Sequence, residues 1–80
     1  MELNETLINA SVELFMSYAK SLSSKELYVE ISKNNELDHA THILLNALSL
    51  NDYDHIFLQN PEMFARLKDY IDCFHDFYMH

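Results

Sequence analysis

The sequence predicts an all-α protein, a compact bundle of four to five short helices. Three observations predict it. Apolar residues recur at helical spacing in every long segment, capping residues stand at the breaks, and no segment sustains the alternation of a strand. The 80 residues form one small domain, and 49% hydrophobic against 22% charged residues makes it globular rather than disordered.

Over residues 3–22, Leu3, Leu7, Leu14, Tyr18 and Leu22 share one helical face with Phe15 beside them, and Glu5, Asn9, Glu13 and Lys20 fall opposite. That face is the expected core side. Ser23-Ser24-Lys25-Glu26 reads as a capping box, and a short second helix follows with Leu27, Tyr28 and Ile31 as its stripe. Asn34-Asn35 is the next break, because asparagine tolerates left-handed backbone and also caps helices. A third helix is expected from Glu36 to Leu50, with Leu37, Ala40, Ile43, Leu44, Ala47 and Leu48 inward. Asn51-Asp52 should cap a helical turn over residues 53–59. Asn60-Pro61-Glu62 then gives a cap, a proline at the first helical position and an acid in the first turn. The last helix carries Met63, Leu67, Tyr70, Ile71, Phe74, Phe77 and Tyr78 on one side.

Composition excludes several functions. The chain has no glycine, so it cannot build a phosphate-cradling loop, a dinucleotide fingerprint or a nucleophile elbow. Thirteen acids against five bases give a formal charge of −8, which disfavours direct contact with nucleic acid or an anionic membrane. The charge is uneven. Residues 1–35 hold five acids against three lysines, whereas residues 36–80 hold eight acids against Arg66 and Lys68. No apolar run reaches the roughly 18 residues of a membrane span or resembles a secretory signal. The single cysteine, Cys73, forms no internal disulfide, which fits a reducing cytoplasm, and its expected role is a small, partly buried apolar residue.

Asp69, Asp72 and Asp76, spaced i, i+3, i+7 with His80 beyond, form a ridge on the side of the last helix away from the core. Like charges at this spacing repel, and anions late in a helix oppose its dipole. That small cost marks the ridge as the expected partner-binding surface, with Asp52 and Asp54 near the preceding turn. Glu36/His39, Asp52/His55 and Asp72/His75 repeat an acid–x–x–histidine spacing used by di-iron bundles. Those of the third and last helices point outward, so no metal or cofactor is expected. Cys73 and His75 project about 160° apart and cannot share an ion. No catalytic constellation stands out, and the chain is not expected to be an enzyme.

The expected role is a non-catalytic protein-binding module that occludes a basic, nucleic-acid-binding surface of a partner protein. Small acidic helical chains of this type occur among phage and mobile-element inhibitors such as anti-CRISPR proteins, and among antitoxins and immunity proteins. Two alternatives remain at this point. One is a structural or regulatory homodimer closed through the C-terminal aromatic residues Phe77 and Tyr78 with Met79; the other is a metal-binding bundle.

Overall fold

A computed structural model describes the backbone of residues 3–79 and the side chains of residues 3–73. Five helices follow in order: α1 (Glu5–Ala19), α2 (Ser24–Lys33), α3 (Asn35–Leu50), α4 (Asp54–Gln59) and α5 (Pro61–Met79). No strand occurs among the described residues, and none of their helices is long and apolar enough to cross a membrane. The all-α bundle foreseen from periodicity is the fold observed.

Each helix starts where side chains satisfy its free amides. Asn4 accepts from the amide of Leu7 at 2.9 Å and opens α1. Ser23 and Glu26 form the reciprocal capping box of α2: Glu26 N–H donates to Ser23 Oγ at 3.2 Å, and Ser23 N–H donates to the Glu26 carboxylate at 3.0 Å. The Ser23 backbone N–H first, and the Ser23 hydroxyl second, hold the Glu26 carboxyl below its ordinary pKa. A depressed carboxylate contributes stability that is present above its unfolded pKa and lost as pH falls through its folded one. Ser23→Ala should therefore flatten the loss of stability below about pH 4.3. Urea midpoints measured from pH 6 down to pH 3 check this, and identical acid slopes for the two proteins would refute it.

The single residue Asn34 closes α2 and caps α3. It is extended (φ −120°, ψ 104°), accepts from Leu37 N–H at 3.1 Å and donates through Nδ2 to Tyr18 Oη at 2.9 Å. The left-handed residue lies elsewhere. Asn51, at φ 64°, has the only positive φ among the described residues and stops α3. In a chain without glycine, asparagine is the usual substitute at this position. Asn51 thus ends α3 rather than capping α4, whose first turn has no side-chain cap. Asn60 also differs from its expected role: its side chain donates back to Ile56 O at 2.7 Å, while its carbonyl accepts from Phe64 N–H.

α1 packs most extensively on α3, α2 packs on α3 and α5, and α4 packs on α5. The core holds Ile8, Phe15, Leu27, Leu37, Leu44, Met63 and Leu67, all almost wholly buried. The inward face of α1 is Ile8, Ser11, Val12, Phe15 and Ala19, so Leu3, Leu7, Leu14, Tyr18 and Leu22 are only half-buried. This corrects the expected face. Ser11 and Thr41 are the buried polar residues, and each hydroxyl donates to the carbonyl four residues back, Leu7 O at 2.9 Å and Leu37 O at 2.8 Å. Among the described residues no buried side-chain polar atom is left unsatisfied, so neither hydroxyl carries the penalty of an orphaned donor.

Candidate functional site

α5 has a sharp division of faces. Met63, Leu67 and Tyr70 are buried, Phe64 and Ile71 are half-buried, and Glu62, Ala65, Lys68, Asp69 and Asp72 are exposed. Asp69 and Asp72 therefore stand in solvent on one face, as their spacing implies. The side chain of Asp76, and those of Phe77, Tyr78 and Met79, lie outside the described residues, as does His80.

Two cations on the same helix could neutralise this face through i,i+4 pairs, Arg66 with Glu62 and Lys68 with Asp72. Neither does. Arg66 turns across the bundle and donates to the carbonyls of Ala19 and Leu22, at and just beyond the end of α1. Those carbonyls would otherwise be unsatisfied, and α1 has no basic residue in its last turn. Lys68 places its ammonium 5.5 Å from the centroid of the Phe64 ring, within cation–π range. The ion pairs formed among the described residues are Lys33–Glu30, His42–Asp38 and His55–Glu5, and none involves Glu62, Asp69 or Asp72. The outer face of α5 thus keeps its negative charge.

Asp52 and Asp54 are also exposed, Asp52 in the α3–α4 connection and Asp54 at the start of α4. Next to them, Tyr53 donates its hydroxyl to Leu3 O at 3.2 Å, and His55 contacts the Glu5 carboxylate. The α3–α4 connection is thereby pinned to the start of α1. No hydrogen bond or ion pair joins Asp52 or Asp54 to Asp69 or Asp72 among the described residues.

Of the acid–histidine pairs read from spacing, Asp52/His55 is not formed, Glu36 and His39 stand side by side, and the side chain of His75 lies outside the described residues. His55 engages Glu5 rather than Asp52, and His42 engages Asp38 through both its carbonyl (2.8 Å) and its carboxylate (3.3 Å). His39 is exposed beside Glu36 along the α1/α3 surface. Nowhere among the described residues do three histidine, cysteine, aspartate or glutamate side chains converge as metal ligands would. Cys73 is half-buried at the border of the α5 stripe, where its helical position placed it.

Comparison with family models, with curated proteins and with solved structures gives no match. The site is therefore read from its own chemistry.

The described aromatic residues of α4 and α5 are used inside the bundle. Tyr70 packs on Tyr28 of α2 with centroids 5.8 Å apart, and Phe64 packs on Phe57 of α4 at 5.6 Å. Arg66 is the residue that sequence reasoning missed. Its clasp on α1 spans 47 positions, and no local spacing rule reports a contact of that range.

Proposed function

We propose that this protein is a non-catalytic binding module that docks its acidic α5 face on a basic surface of another protein and occludes it. The observation that supports the reading is the diversion of both α5 cations. Arg66 serves the end of α1 and Lys68 lies over Phe64, so Asp69 and Asp72 are exposed and form no ion pair among the described residues. Carboxylates held on a rigid helix can take the places of phosphates and satisfy arginine and lysine there. A partner groove that normally holds nucleic acid fits this chemistry best. Such stoichiometric occlusion is how phage and mobile-element inhibitors of the anti-CRISPR kind, antitoxins and immunity proteins act, here in a reducing cytoplasm.

The test begins with capture of the partner from the native host and its purification. Changing Asp69, Asp72 and Asp76 together to Asn keeps size and polarity and removes repulsion within the helix, so the melting temperature should stay level or rise slightly. Affinity for the purified partner at low salt should fall on the order of tenfold or more, with a flatter salt dependence. Equal affinities for the two proteins at low salt would refute the reading.

A further inference from the structure

α1 and the residue before its cap carry a second apolar row that the fold covers only in part, Leu3 and Leu7 packing on the edge of the core. Leu3, Leu7, Ala10 and Leu14 recur at i, i+4, i+7 and i+11. The three leucines are half-buried and Ala10 is exposed. Leu7, Ala10 and Leu14 lie about 95–155° around the helix from the mean direction of the buried residues Ile8, Ser11, Val12, Phe15 and Ala19, taking 100° per residue. Leu7, Ala10 and Leu14 form one wall of a groove of about 230 Å³, and Glu36, His39, Ala40 and Ile43 of α3 form its floor and far wall. The groove runs on past His39 and Ile43 to Leu3, Asn46 and Leu50, the last of these 50% exposed. Between Leu7 and Leu14 the row spans about 10 Å, two helical turns.

The charges around it are of one sign. Glu36 lines the groove and Glu13 is exposed on the adjoining flank of α1. None of the chain's five lysines and arginines lines it. Lys25 and Lys33 border α2, Arg66 is held on the end of α1, Lys68 lies over Phe64, and Lys20 follows α1 at its far end. We propose that the α1/α3 groove is a second docking surface, and that its occupant is an amphipathic helix with apolar residues at i, i+3/i+4 and i+7 and lysine or arginine on its flanks. A groove walled by two helices accepts a third helix along their direction, with apolar anchors in the floor and cations over the rim acids. The surface uses different helices from the α5 face and does not depend on that face being functional.

The probe is a fluorescein-labelled synthetic peptide of about three to four turns, with leucines at those spacings and lysines flanking them. A scrambled peptide of identical charge is the control. Ala10→Arg puts bulk and positive charge into the groove at an exposed position with good helix propensity, so the fold should persist by circular dichroism. Glu36→Gln is a second variant that removes only a rim charge. The expected result is binding of the amphipathic peptide over the scramble, weakened on the order of tenfold by Ala10→Arg and less by Glu36→Gln. Asp69→Asn with Asp72→Asn should leave it unchanged. Equal binding of both peptides, or an equal loss with the α5 variant, would show general charge attraction and overturn the proposal. A concentration-dependent dimer in sedimentation that Ala10→Arg dissolves would give the groove to a second copy and overturn it as well.

Discussion

Phe15→Ala is expected to cost about 3–5 kcal/mol and to leave much of the protein unfolded where the wild type is folded. Phe15 is wholly buried, the largest side chain of the inward face of α1, and it lies in the core cluster with Leu37, Leu44 and Leu67. Truncation removes its apolar area and leaves a cavity that close-packed neighbours fill only in part. A domain of this size is expected to have only about 4–12 kcal/mol of stability in total. The neighbouring change Leu14→Ala is the control. Leu14 is half-buried and outside the core cluster, so it should cost under about 1.5 kcal/mol. Urea denaturation followed by circular dichroism reads both. Equal shifts for the two variants would place the core face of α1 where hydropathy alone puts it and refute the packing described above.

The second large effect belongs to Arg66. Arg66→Met keeps most of the apolar stem and removes both hydrogen bonds to the Ala19 and Leu22 carbonyls. The loss should be about 2–3 kcal/mol, the range for charge-assisted bonds whose half-buried acceptors are left unpaired. Arg66→Lys should recover only part of it, because an ammonium is a point donor and cannot fork between two carbonyls as a guanidinium does. Unfolding midpoints of the three proteins decide the matter. If Arg66→Met is as stable as the wild type, the clasp contributes nothing.

Those two predictions mark where the sequence was legible and where it was not. The Ser23–Glu26 box, the Asn34 cap and the start of α5 at Pro61 were readable, since a cap depends on residues within one turn. The α1 face was misread because its apolar arc is wide and leucine outweighs serine and alanine in any hydropathy count. The buried face instead includes small residues, Ser11 and Ala19 on α1, and α3 buries Ala40, Thr41 and Ala47 as well. The exposure of Asp69 and Asp72 followed from their spacing. Their lack of ion pairs did not, because the i,i+4 rule pairs Lys68 with Asp72 and Glu62 with Arg66, whereas Lys68 lies over its other i,i+4 neighbour, Phe64, and Arg66 takes a tertiary partner.

Helix α1 is held at both ends by residues far downstream: Leu3 and Glu5 by Tyr53 and His55, and Ala19 by Arg66. During synthesis α1 is made before the residues that secure it. At about 5–20 residues per second, the 47 positions from Ala19 to Arg66 take roughly 2–9 s to translate. Through that interval the nascent chain presents an amphipathic helix with leucines on one side, Ile8, Val12 and Phe15 on another, and neither clasp in place. Synthesis of the downstream segment ends that state by supplying Tyr53, His55 and Arg66 in turn.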